Sequence, residues 1–202
     1  SVIEEVKRLR LDDKTIIVLC SDHGTGIKRP SGSGGPLDPN LYQELIHVPL
    51  IIKYPGVETC GRKISSLVQL VDIAPTVLGA LGVSVSHSMQ GESLVPLIKP
   101  AKDGRSTFAD KYAYSEAMHE KWAIINKNGF KLIYSAGRRQ LYNLRNDPDE
   151  QNNLSAGNMD IQTELMKEFF SWRKQIEAPR GGEWLDLSND MLEKLRRIGY
   201  WP

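Results

Sequence analysis

The chain has 202 residues, of which 40% are hydrophobic and 25% charged, a composition that folds into one large domain or two small ones. Lys and Arg total 26 against 25 acidic residues, and a net charge of +1 supplies no field that would recruit nucleic acid or an anionic membrane. The longest apolar runs, VPLII and LVQLV among them, are far shorter than the roughly 20 residues of a bilayer span, and Cys20 and Cys60 are too few for a disulfide framework.

In chain order, SVIEEVKRLRL places Val2, Val6 and Leu9 on one helical face with charges opposite, and DDK at 12–14 turns the chain into an apolar run at 15–20. A fully apolar run of this kind predicts an interior strand of a parallel sheet, with Cys20 as a small buried hydrophobe. Ligands of open α/β sheets bind beyond the carboxyl ends of such strands, and there stand Asp22, His23 and Gly24. The loop that follows, GTGIKRPSGSGGPLDPNL, is too rich in Gly, Pro and Ser for helix or strand, and long loops of this kind are commonly functional. A second strand is expected at 48–53, closed by Pro55 and Gly56.

In SLVQLVDIAPTVLGALGV, Asp72 can cap a helix, Pro75 is tolerated in its first turn, and Gly82 suits the left-handed residue past its end. From 112 the pattern changes to short alternating strands, YAYSEA, KWAIIN, FKLIYS and LYNL, with KNG at 127–129 as a hairpin turn. IQTELMKEFFSWRKQI carries Ile161, Leu165, Phe169 and Trp172 on one helical stripe, and SNDMLEKLRRIG reads as a short closing helix. NDPDEQNNL lacks the alternating oxygen ligands of a calcium loop and is expected to be a turn, with NLS at 153–155 a lone glycosylation sequon. The layout is an α/β portion over 1–110 and a smaller α+β portion over 111–202.

At these residues the chain resembles the sulfatase family of the alkaline-phosphatase-like superfamily. TIIVLCSDHG is similar to the family's strand ending in Asp followed by Asn or His, and LYQELIHVPLIIKYPG to its Tyr, Glu and Val-Pro-Leu segment. LVQLVDIAPTVLGALGV, GESLVPLI, LYNLRNDPDEQNNL and LRRIGYW match in family order over nearly the whole chain. The resemblance implies an α/β fold: part of an αβα sandwich, followed by a small α+β subdomain with an antiparallel sheet and a packed helix. It implies a hydrolase of sulfuric esters, with Asp22 and His23 as ligands of one divalent metal. Calcium is the family's usual ion, and manganese or zinc are compatible with an imidazole ligand.

The resemblance also places the nucleophile, a cysteine converted to formylglycine or a serine, in an amino-terminal half of the same polypeptide, and no Cys-x-Pro-x-Arg or Ser-x-Pro-x-Arg occurs in these residues. The chain opens on Ser1, so it is expected to begin inside a longer product and to be inactive alone. The family's sulfate-binding lysine has no counterpart in PLDPN, and Lys28 or Arg29, earlier in the same loop, would then contact the anion. That departure keeps two alternatives open: a phosphodiesterase, phosphatase or phosphotransferase of the same superfamily, and a non-catalytic binding or structural protein. Glu44 and His47 are expected to steady the loop-to-strand junction, His87 and His119 to be surface residues, and the four tryptophans to pack. The expected partner is a small-molecule or saccharide sulfate ester, with no nucleic acid and no membrane segment; the compartment is left open.

Overall fold

Ser1 and Glu4 form a capping box: Ser1 Oγ accepts from the Glu4 amide, the Glu4 carboxylate accepts from Ser1 N, and helix α1 (Val2–Arg8) follows. The computed structural model describes residues 1–25, 41–57, 61–85, 89–99, 108, 111–117, 121–176 and 193. The chain divides into two compact units, Ser1–Ser171 and Trp172–Pro202. Within the second, Ile176 N donates to Trp172 O at 3.2 Å and continues the preceding helical turn. No helix among the described residues is long and apolar enough to cross a membrane.

The apolar run forms strand β1 (Ile17–Cys20), and the chain returns through a helical turn, α2 (Gln43–Ile46), into strand β2 (Leu50–Lys53). The two strands pair antiparallel, with Leu19 opposite Ile51. The expectation of a parallel pairing is thus corrected: β1 and β2 run antiparallel. Leu19 is 53% and Ile51 63% exposed, and Cys20 is exposed rather than buried. An apolar strand is buried only where layers cover both of its faces. Among the described residues β1 has one neighbouring strand, and Leu19 and Ile51 are left more than half exposed.

A 3₁₀ turn at Leu70–Asp72 leads directly into helix α3 (Ile73–Ala80). Asp72 does not cap α3 with its side chain, contrary to the sequence reading. Its fully buried carboxylate instead accepts from the amides of Gln69 (2.9 Å) and Glu92 (2.8 Å) and from Lys111 Nζ (3.3 Å). Three donors from separate segments make Asp72 a knot between the helix entry and residues 89–99, where the short helix α4 (Val95–Ile98) lies. Gly82 takes the expected left-handed conformation, φ 70°, and the Val83 amide reaches back to Leu78 O.

The predicted alternating strands form a meander. Strands β3 (Ala113–Ala117), β4 (Lys121–Ile125), β5 (Phe130–Ser135) and β6 (Arg138–Asn143) lie side by side in chain order, all antiparallel. The KNG turn holds because Asn126 Oδ1 accepts from the amides of Asn128 and Phe130 while Gly129 takes φ 84°. Ala136 and Gly137, both with positive φ, make the tight turn between β5 and β6. One face of the sheet carries Trp122, Ile124, Leu132 and Leu141 and meets helix α5 (Met159–Gln175), whose Leu165 and Phe169 are fully buried. Trp122 and Phe169 stack with centroids 4.1 Å apart. The opposite face carries Ala123, Ile133 and Tyr142, which cluster with Leu41 ahead of α2. Leu165 and Phe169 of the predicted stripe and the two faces of the sheet therefore hold most of the buried apolar side chains among the described residues.

On the edge of this sheet, Tyr112 donates to Glu164 and Tyr114 to Glu168 (3.2 Å). Partial burial, and then the Glu168 carboxylate, raise the Tyr114 phenol well above its ordinary range. Below about pH 10 the phenol is protonated in folded and unfolded chains alike; above it the unfolded chain releases the proton while the folded chain keeps it. Stability is therefore expected to fall as pH rises beyond about 10, and to fall less steeply in Tyr114→Phe. Urea titrations of the two proteins over that range check this, and identical slopes would refute it.

Candidate functional site

At the end of β1 the backbone turns over Ser21–Gly24 and its polar groups satisfy one another. Ser21 Oγ donates to His23 O at 2.7 Å, and the His23 amide donates to Asp22 Oδ1 at 2.9 Å. His23 Nδ1 lies 2.8 Å from Gly24 O. A carbonyl only accepts, so Nδ1 carries the hydrogen, and in the neutral ring Nε2 presents its lone pair. Nε2 stands 3.6 Å from Asp22 Oδ2, both side chains more than half exposed.

That spacing bears on metal binding. Divalent ions sit about 2.0–2.6 Å from imidazole nitrogen and carboxylate oxygen, so two donors this far apart can reach one cation from adjacent coordination positions. The contact of Nδ1 with a backbone carbonyl is the kind of support that orients metal-binding histidines. The pair fits a divalent ion as two ligands of a larger shell. Among the described residues no group of three His, Cys, Asp or Glu side chains could complete one.

Gly24 ties the turn to α2. Its amide donates to Leu45 O at 2.7 Å, and a Cβ at this position would stand 2.1 Å from Glu44 O. Only glycine admits that approach of two backbones. Glu44 and His47 contribute to the junction through their main chains, Glu44 O against Gly24 and the His47 amide donating to Gln43 O at 2.8 Å. A cavity of about 760 Å³ opens beside the turn, lined among others by Asp22, His23, His47, Ser115 and Glu116. The structure thus brings Asp22 and His23 together, and residues of β3 line the same cavity. Lys28, Arg29, His87, His119, Cys60, Trp184, Trp201 and the closing helix expected around SNDMLEKLRRIG lie outside the described residues, Glu193 of that helix excepted.

Sequence reading missed the supporting residues. Ser21 is marked only by its place before Asp22. Nothing in the sequence marks Lys131 and Glu150 as a buried pair, because both charges fall in segments that read correctly as strand and turn.

Residues 38–175 match the family model described as N-sulphoglucosamine sulphohydrolase, C-terminal. The chain belongs to the sulfatase family. Among curated sulfatases, it is 33% identical over 177 residues to the N-acetylglucosamine-6-O-sulfatase of Bacteroides thetaiotaomicron, covering 82% of this chain and 31% of that protein. It is 30% identical over 173 residues to human arylsulfatase K, covering 77% and 30%. The chain thus spans about a third of the length of these sulfatases.

A solved structure of a protein in complex with its substrate D-glucosamine-2-N,6-O-disulfate is similar with a TM-score of 0.69 and 27% identity, over 90% of this chain and 39% of that one. The phosphonate monoester hydrolase of Agrobacterium radiobacter shares the fold at a TM-score of 0.68 and 23% identity, over 87% and 38%. The fold is thus that of the sulfatases, and the family model that the chain matches is that of a carboxy-terminal region.

Proposed function

We propose that this chain forms the carboxy-terminal part of a metal-dependent hydrolase of sulfuric esters, and that its Asp22–His23 turn supplies two ligands of the catalytic cation. The observation that carries this reading is the 3.6 Å approach of Nε2 and Oδ2 at the end of an apolar strand, with Nδ1 directed to a carbonyl. A divalent ion there would neutralise sulfate oxygens that otherwise repel a nucleophile. The turn's own residues hold Nε2 and Oδ2 toward one point, and Ser21 keeps the backbone between them in place. Calcium is the ion this reading favours, with manganese or zinc accommodated by the imidazole.

The nucleophile, expected as formylglycine, comes from preceding polypeptide, which also covers Leu19 and Ile51. On this reading residues 1–110 complete the catalytic α/β layer and 111–202 form the subdomain beside it. The substrate class is a saccharide sulfate. Its support is the sulfated glucosamine named for the similar complex and the N-acetylglucosamine-6-O-sulfatase among the relatives. Lys28 or Arg29 would bind the ester anion from the loop after the turn.

The test uses the full-length protein, Asp22→Ala and His23→Ala, read by bound divalent metal after dialysis and by hydrolysis of an aryl sulfate and of glucosamine 6-sulfate. Both variants are expected to lose the metal and fall to background, and residues 1–202 alone to be inactive. Metal and turnover unchanged in Asp22→Ala would sink the metal role. A phosphate ester cleaved in preference to both sulfates would move the assignment to phosphoryl chemistry, and a full-length protein without metal or turnover to a binding role.

A further inference from the structure

Lys131 is the second residue of β5 and its whole side chain is buried, Nζ 2.6 Å from Glu150 Oε1 and 3.3 Å from Gln43 Oε1. The other Glu150 oxygen accepts from the Gln43 backbone amide at 2.7 Å. Glu150 is itself in the left-handed conformation, φ 54°, which a residue with a Cβ adopts only where its surroundings demand it. Asp147 provides that demand, its carboxylate accepting from the amides of Gln151 and Asn152 while its carbonyl accepts from Glu150 N. The strained turn delivers a carboxylate under the first residue of α2.

From there to the site is a short path. Tyr42 adds a hydroxyl bond to Gln140 of β6 at 2.9 Å, so the start of α2 is fastened to the sheet at two successive residues. Two residues beyond Gln43, the carbonyl of Leu45 receives the Gly24 amide, next to His23. A buried ion pair is no more stabilising than apolar residues of equal volume, so stability alone does not account for this one. Its geometry does direct α2.

We infer that Lys131 and Glu150 are positioning residues for the Asp22–His23 turn, acting through Gln43 and Leu45. The antiparallel meander thereby sets the register of α2 against β1, and α2 sets the turn. That the positioned turn serves catalysis rests on the function proposed above; that it is positioned this way does not.

Two variants of the full-length protein test this by amide hydrogen exchange. Lys131→Met/Glu150→Leu replaces the pair with apolar side chains. Gln43→Pro deletes the donor to Glu150, together with the Gln43 Oε1 that accepts from Lys131, and leaves both ions in place; proline is tolerated in a first helical position, and Tyr42 before it already has the extended backbone (φ −74°, ψ 160°) that proline requires. Loss of a hydrogen bond to a charged group is expected to speed exchange at Gly24 and His47 by at least about tenfold, with the β4 and β5 amides unchanged. Unchanged protection at Gly24 in the folded variants overturns the inference, as does an equal loss across the sheet. Turnover of an aryl sulfate separates the two readings: faster exchange with a lowered kcat supports both, whereas faster exchange with kcat intact keeps the positioning and counts against catalysis by Asp22 and His23.

Discussion

Phe169→Ala is expected to lower stability by about 3–5 kcal/mol. Phe169 is fully buried and wedged between elements far apart in sequence, stacked on Trp122 of β4 and within 6.4 Å of the Tyr114 ring. Truncation removes the ring's transfer energy and leaves a void that a sheet backed by a helix cannot close, so the cavity adds to the loss. Ring stacking accounts for only about 0.5–1.5 kcal/mol of the total. Phe169→Leu, which refills most of the volume, is therefore expected to recover much of the stability. Urea midpoints at constant m-value measure both, and equal losses in the two variants would show that the stability comes from the stacked ring rather than from the buried volume.

A second large loss, again about 3–5 kcal/mol, is expected for Lys131→Met alone, which leaves the Glu150 carboxylate buried without its cation. Replacing both members, in Lys131→Met/Glu150→Leu, is expected to restore stability to near that of the parent, since the desolvation of two charges disappears together with their attraction. The signature is non-additivity: the double variant more stable than the single one. Denaturation of the three proteins under one set of conditions decides it, and a double variant as unstable as Lys131→Met would refute the argument.

The meander and α5 were legible in the sequence because each of their signals is local. Alternation in KWAIIN and FKLIYS, the Gly at 129 and the Leu165 to Phe169 spacing are read within a few residues, and tertiary packing agreed with them. The position of Asp22 and His23 at a strand end was legible for the same reason. The pairing of β1 was not, because an apolar run reports that a strand will be covered and not by what, and Leu19 meets solvent among these residues. Asp72 misled for a different reason: the residue type suits a helix cap, but donors from residues 92 and 111 compete for its carboxylate and win. Lys131 and Glu150 escaped because a charge in a strand or a turn is ordinarily a solvated one, and only the fold reveals which is not.

The bond between Gln43 and Glu150 joins residues 107 apart in sequence, and that distance orders events in time. The meander closes through neighbouring hairpins, a local process that needs little chain to be brought together and is correspondingly quick. The start of α2 can be fastened only after that. During synthesis Gln43 leaves the ribosome long before Glu150 exists, and at about 5–20 residues per second the interval is several seconds or more. Throughout it the nascent turn at Asp22 has no anchor on the sheet side, so the ordering of that turn belongs to the end of folding rather than its beginning.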